Sequence, residues 1–349
     1  MPFSTISLPF FALTTSGLEA ISANEIAMLP GVSINTIAYR RISATCSGSF
    51  ASLLSLRTVD DVFLEVATWM YIGRPRSSLA HLRLLGACLD LHAAAACCAR
   101  LRPVPMLPTF SVTASFVGKR NYSSEEIKAV LADEVARKHG WTYQQDDRAA
   151  DLNVRLFIEH EVATVGVRLG KTALHDRWYQ QAHLPGGLKP SVAAALVELA
   201  QVTPKTIVLD PCCGSGTILI EAALQGAVIC GGDSNAHALA VAQTNIASAE
   251  VEGCLHCWDA QALPLAEGSI ERVICNLPWG RQVHVEGTLA VLYQHIIAEM
   301  RRVLTSTGHI VLLTNAPHMI DPFDLQLVKQ HEISLFGQRP TILLLSPCI

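Results

Sequence analysis

The sequence predicts an α/β protein: a doubly wound, mostly parallel sheet in the C-terminal half, preceded by a smaller α+β region. Three observations predict this. From residue 188 onward, short apolar runs alternate with segments of helical period, the signature of consecutive βαβ units. Asp210-Pro-Cys-Cys-Gly-Ser-Gly-Thr217 lies between such a run and such a helix, where doubly wound sheets carry their ligand-binding turns. Between residues 109 and 169 the pattern is instead strand, helix, strand, strand, the order of a small α+β unit.

Taken in order, residues 7–13 read as a strand, 17–29 as a helix, and 32–37 and 39–44 as further short strands. Residues 50–72 and 78–100 carry helical periodicity, the second segment rich in alanine. Pro103, Pro105 and Pro108 then break the chain. Thr109–Ser115 alternates as a strand does. Ser123, with Glu125 and Glu126 behind it, reads as the capped start of a helix running to about His139. Strands follow over 152–160 and 161–169. After a polar, aromatic connector (170–187), residues 188–201 read as a helix with Pro190 in its first turn. Strands at 206–210, 227–232, 253–258, 270–275 and 308–314 then alternate with helices at 216–225, 235–249 and 286–304. Two tail strands lie near 328–335 and 341–346.

A chain of 349 residues, half of them apolar, has material for two or three domains with large cores. The net charge of −4 is unevenly spread: residues 1–190 hold 19 Lys+Arg against 16 Asp+Glu, and residues 191–349 hold 7 against 14. The acidic half repels a phosphate backbone, so attraction for any nucleic acid must come from the N-terminal half. The 11 cysteines are scattered, mostly inside apolar runs, which fits a reducing cytoplasm rather than a disulfide framework. Cys254-Leu-His-Cys257 has no second pair of similar spacing and reads as buried small residues, so no metal is expected. The apolar N-terminus lacks a cationic flank, and no apolar stretch reaches bilayer-spanning length without a charge. A cytoplasmic monomer with no membrane partner is expected.

The Gly-x-Gly turn departs from dinucleotide and phosphate-binding loops. The third glycine or alanine of the dinucleotide fingerprint is Leu219 here, and the lysine of a P-loop is missing. An acid at the strand end followed by Gly214 and Gly216 suits S-adenosylmethionine. Asp210 attracts the ammonium of its amino-acid portion, while Cys213 and Thr217 flank the helix N-terminus that receives the carboxylate. Asp233, 23 residues after Asp210, is placed to accept the ribose hydroxyls, and Asp259 with Ala260 ends the third strand beside the adenine.

Asn276-Leu-Pro-Trp-Gly280 also follows an apolar run. It sets a side-chain amide, a restrained carbonyl and an aromatic ring together. Methyl transfer to a planar exocyclic amine needs two acceptors on its N–H groups. The Asn276 side chain, also expected beside the cofactor, and the Leu277 carbonyl supply them, Pro278 stiffens the turn, and Trp279 offers a stacking face. A paired base cannot reach such a site, so the target nucleotide must be extruded or unpaired. These residues alone leave guanine N2 and adenine N6 both open.

With both motifs in place, the chain resembles the THUMP-domain-containing, Rossmann-fold RNA guanine-N2 methyltransferases. Residues 210–217 and 276–280 are similar to that family's cofactor and target-base motifs, Leu174–Tyr179 and His183–Pro190 to its linker, and Phe10–Glu19 and Phe110–Leu169 to its N-terminal regions. The resemblance implies a ferredoxin-like part over 1–50, a THUMP-like RNA-binding domain over 51–169, a linker over 170–187, and a class I Rossmann-like methyltransferase domain with a seven-stranded sheet over 188–349. It implies transfer to guanine N2 in RNA, typically the acceptor end of tRNA. Basic residues are sparse for such a partner. Lys119, Arg120, Arg137, Lys138 and Lys171 are candidates, with Arg177 and Tyr179 in the linker the preferred contact. Alternatives are the same chemistry on ribosomal or another small RNA, methylation of a protein glutamine amide, and a non-catalytic RNA-binding factor.

Overall fold

The computed structural model describes residues 7–280, 288–322 and 324–348. The chain forms two units: residues 1–13 with 23–174, and residues 14–22 with 175–349.

The first unit is built on one eight-stranded sheet. Its elements are β1 (Leu8–Leu13), α1 (Glu19–Ala27, shared with the second unit), β2 (Val32–Ala38), β3 (Arg41–Cys46), a 3-10 turn (Phe50–Ser55), β4 (Asp61–Trp69), α2 (Ser78–Cys88), α3 (His92–Ala99), β5 (Thr109–Phe116), α4 (Ser124–His139), β6 (Thr142–Tyr143), β7 (Leu152–Glu159) and β8 (Val162–Arg168). The strand order is β2-β3-β1-β4-β8-β7-β5-β6. The capping box predicted at Ser123 forms: its hydroxyl accepts from the Glu126 N–H at 3.2 Å, and the Glu126 carboxylate accepts from the Ser123 N–H at 2.9 Å.

Three expectations need correction here. Residues 50–72 are not a helix. The segment Asp61–Trp69 is a strand between β1 and β8, where Val62, Phe63 and Leu64 are all buried. A central strand covered on both faces has an unbroken apolar run, which periodicity does not separate from a helix. Residues 78–100 form two helices, because Asp90 breaks the run: its carboxylate accepts from the His92 N–H at 3.0 Å and starts α3 anew. The boundary drawn at residue 50 falls within one sheet, since β1 pairs directly with β4.

The second unit holds α5 (Pro190–Leu199), β9 (Ile207–Asp210), α6 (Thr217–Ala223), β10 (Val228–Asp233), α7 (Ala236–Ser248), β11 (Gly253–Cys257), β12 (Ile270–Asn276), α8 (Leu289–Val303), β13 (Leu304–Thr314), β14 (Leu325–Glu332) and β15 (Thr341–Pro347). The first two residues of the helix expected over 286–304 lie outside the described residues. The strand order, β11-β10-β9-β12-β13-β15-β14, is the expected seven-stranded sheet. The first five strands run parallel, and β15 is antiparallel to both its neighbours. The chain order reverses between β9 and β12, so a crevice opens at their C-terminal ends.

Residues 14–22 belong to this unit rather than to the N-terminal part. Leu18 is buried in the same core as Ile333 and Leu335, and the Ser334 N–H donates to the Ser16 carbonyl at 2.9 Å. Gly17 has φ +95°, and any β-carbon there would lie 2.1 Å from the Glu332 carbonyl oxygen. Among the described residues, no single helix is long and apolar enough to cross a membrane.

Candidate active site

Strands β9 and β12 are parallel neighbours, with Val208 opposite Arg272 and Leu209 opposite Val273. Asp210 and Asn276 therefore end adjacent strands at the same edge of the sheet. A cleft of about 1100 Å³ opens there, lined by Gly214, Asp233, Asp259, Ala260 and the run Asn276–Trp279. A smaller recess of about 90 Å³ beside it is lined by Asp210, Cys213, Gly214, Thr217 and Asn276. The two motifs thus open onto one cleft.

The glycine turn owes its shape to backbone freedom. Gly214 has φ +52°, and a β-carbon on it would meet nothing within 4 Å, so its bare face looks into the cleft. Gly216, expected at the cofactor, has a different task. It has φ +78° and faces Ala242, where an added β-carbon would sit at 3.2 Å; it lets α7 pack against the turn. The Cys213 N–H donates to the Gly232 carbonyl at 2.9 Å, which ties the turn to β10. Burial, with Asp210 next, holds the Cys213 thiol protonated, well above its ordinary range.

Asp233 is held by two backbone donors, the Gly214 N–H at 3.0 Å and the Asn235 N–H at 2.9 Å. Its carboxylate is thereby fixed at the cleft wall with further lone pairs for hydroxyl donors. Asp259 is exposed and accepts from the Gln261 N–H at 2.9 Å. Asp210 is 1 % exposed and receives the Cys212 N–H at 3.2 Å. Burial, followed by the Asp233 charge, pushes its pKa up to about 8. A cation is the group this carboxylate lacks.

At the other motif, the Trp279 indole N–H donates to the Asn276 side-chain oxygen at 3.1 Å. That bond decides which end of the amide is oxygen and holds it at the cleft. The Pro278 carbonyl accepts from the Tyr293 hydroxyl at 2.9 Å, and Tyr293 also bonds Thr314 at 3.2 Å. The Asn-Leu-Pro-Trp turn is therefore braced from α8 and β13. Trp279, expected to offer a stacking face, lines the cleft, is half-buried against the core and orients Asn276.

Sequence reasoning missed several residues. Leu184, Pro185 and Gly186, read as linker, form a wall of the cleft. They are held by buried Asn245, whose side chain exchanges hydrogen bonds with the Ala182 backbone and donates to the Ser215 carbonyl at 3.1 Å. Tyr293 has the spacing of one more core position in an amphipathic helix, and nothing local marks its role. Phe336, a bulky residue beside a glycine in a turn, is a local anomaly that neither motif accounts for.

The preferred RNA contact needs correction. Arg177 and Tyr179 are buried: Arg177 Nε lies 3.1 Å from the Glu221 carboxylate, and the Tyr179 hydroxyl donates to it at 2.6 Å. They tie the connector to α6 and present nothing to a ligand. Arg120 is likewise spent on the Ile72, Gly73 and His160 carbonyls, and the Lys171 ammonium on the Ala150 carbonyl. Arg137 binds Glu134, and Lys138 the Cys88 carbonyl. Lys119, Arg137, Lys138 and Lys171 all remain exposed. Glu221→Ala leaves the Arg177 guanidinium buried without its carboxylate, a loss of about 3–5 kcal/mol. Thermal unfolding should shift down by roughly 10 °C; a fall of under about 2 °C overturns the assignment.

A parallel sheet with one antiparallel hairpin, strand-end acids around a glycine turn, and an amide-bearing turn beside it define a methyltransferase-type α/β domain. The chain's comparisons with known proteins agree. The family described as "UPF0020: RMKL-like, methyltransferase domain" matches residues 177–332, and the THUMP domain matches residues 94–168. The two matches set a region similar to a THUMP domain ahead of a region similar to a methyltransferase domain. It is 30 % identical over 228 residues to "tRNA (guanine(6)-N(2))-methyltransferase THUMP3" of Homo sapiens, covering 60 % of this chain and 44 % of that one. It is 27 % identical over 216 residues to "U6 snRNA (guanine-N(2))-methyltransferase THUMPD2" of Bos taurus, covering 60 % and 41 %. The chain thus spans about two-fifths of the length of these curated relatives. The crystal structure of TrmN from Thermus thermophilus superposes with a TM-score of 0.78 at 26 % identity, over 98 % of this chain and 100 % of that one.

Proposed function

We propose that this protein transfers the methyl group of S-adenosyl-L-methionine to the exocyclic N2 amine of a guanosine in tRNA, in the acceptor stem, acting as a cytoplasmic monomer. The observation that carries the reading is the shared cleft, in which Asp210 and Asn276 end neighbouring parallel strands. The THUMP domain in the same chain and the guanine-N2 specificity named in its relatives support RNA as the substrate.

The residues fit this cofactor. Asp210 is a buried carboxylate awaiting a cation, Gly214 leaves room beside the turn, and Asp233 is fixed to receive hydroxyls. When bound, S-adenosylmethionine supplies an activated methyl on a sulfonium, so neither metal nor strong base is needed to raise the amine's reactivity. Asn276 accepts one N–H of the target amine through its side-chain oxygen, and the Leu277 carbonyl accepts the other. Together they aim the nitrogen lone pair and stabilise the positive charge that grows as the N–C bond forms and the S–C bond breaks. The proton then leaves the nitrogen for solvent.

The test is total tRNA, ribosomal RNA and small nuclear RNA, each incubated with the protein and labelled methyl donor, then hydrolysed to nucleosides. Label in N2-methylguanosine from tRNA is expected. Label only in N6-methyladenosine, or only in a protein fraction, overturns the reading. Label in N2-methylguanosine from small nuclear RNA alone keeps the chemistry and replaces the substrate.

A further inference from the structure

The hairpin between β14 and β15 ends in a side chain that its backbone disfavours. Leu335 and Gln338 exchange both backbone hydrogen bonds, at 3.0 and 2.9 Å, so Phe336 and Gly337 are the two central residues of the turn. Their φ angles are +51° and +74°. Positive φ at both positions is a type I′ turn, for which Asn-Gly is preferred, because a β-carbon crowds the carbonyl there. Gly337 meets the requirement and Phe336 opposes it. Burial does not offset the strain, since the Phe336 ring is 66 % exposed. A strained, exposed aromatic held on a rigid stem is a feature that folding alone does not explain.

The stem is rigid. Ile333 and Leu335 are buried in the core, the Ile333 N–H donates to the Pro340 carbonyl at 2.9 Å, and the Ser334 N–H to the Ser16 carbonyl at 2.9 Å. Its direction follows from register. Thr314 at the end of β13 pairs with Thr341, which pairs with Glu332. The turn therefore leaves the sheet at the same edge as Asn276, itself paired with Leu313. Phe336 lines the cleft that Asn276 and Trp279 line. Trp279 is half-buried with the edge of its indole bonded to Asn276, and Phe336 is the more exposed of these two aromatic rings in the cleft wall.

We propose that Phe336 is the stacking platform for the extruded acceptor base, holding its amine at Asn276. This rests on the function proposed above and assigns it a base-binding residue. A planar purine gains from an aromatic face whatever its edge pattern, while Asn276 and Leu277 read the amine.

The test compares Phe336→Asn, Phe336→Ala and Phe336→Tyr with the unchanged protein, measuring RNA methylation, cofactor affinity by calorimetry and melting temperature. Asparagine suits the turn, so Phe336→Asn should melt at or above the unchanged protein. It should bind cofactor within twofold and lose methylation about 10–100-fold, the size of one stacking contact. Phe336→Tyr should restore most of the activity, and Phe336→Ala should not. A Phe336→Asn protein of full activity overturns the platform alone. So does one whose loss tracks a lowered melting temperature without rescue by tyrosine. If the unchanged protein methylates no RNA, the function reading falls and the platform with it.

Discussion

Asn276→Ala should lose turnover on RNA by about 10²–10³-fold, the usual loss on removing one preorganised group from a developing charge. The variant removes the acceptor that Trp279 orients and leaves the rest of the cleft intact. Cofactor affinity, measured by calorimetry without RNA, should change little, because Asp210, Gly214 and Asp233 keep their own backbone contacts or conformation. The same split should appear with saturating RNA, since the loss lies in the methyl-transfer step rather than in substrate capture. A variant within tenfold of the unchanged protein would remove Asn276 from the chemistry and return the turn to a structural role.

Asp210→Asn should abolish the rise in cofactor affinity between pH 6 and 8 and weaken that binding at least tenfold at pH 8. The folded-state pKa of Asp210 is raised by burial to about 8 from an ordinary 3.8. A cationic ammonium beside it favours the carboxylate, so binding below about pH 8 must expel a proton. Affinity should rise about tenfold per pH unit from 6 towards 8 and fall again above, as the ligand's own ammonium loses its proton. Stability runs the other way. With the pKa raised in the fold, the folded state holds the proton more tightly than the unfolded chain. The stability that this proton contributes is whole below pH 3.8 and is lost as pH rises towards 8. Without ligand, the Asp210→Asn protein escapes that loss, so its advantage in melting temperature should be small at about pH 4 and greatest at about pH 8–9. Proton release is read from calorimetry in buffers of different ionisation enthalpy. Equal, pH-independent affinity in both proteins would place the ammonium elsewhere.

Much of the C-terminal unit was legible because its information is local. A four-residue apolar run, an acid, two glycines and a helix start dictate a strand, a turn and a helix whatever surrounds them, as do the cap at Ser123 and the turn at Asn276. The shared cleft of the two motifs followed from the same logic, since parallel strands joined by helices deliver every strand end to one edge. The N-terminal unit was less legible. Asp61–Trp69 reads as a helix until β1 and β8 are seen to cover both its edges, and no periodicity within nine residues reports that.

The sequence by itself determined the order of strands and helices in the second unit and the residue types at its strand ends, because backbone preference and side-chain chemistry act over a few neighbours. Tertiary structure alone decided which polar groups remain available. Arg177 and Tyr179 are spent on Glu221, forty-odd residues away in the chain, and Trp279 on Asn276. It also decided that the strained ring of Phe336 faces the cleft, through pairing among three strands separated in sequence. Burial and long-range hydrogen bonding are properties of the packed chain, and a side chain's chemistry is free for function only after packing has taken its share.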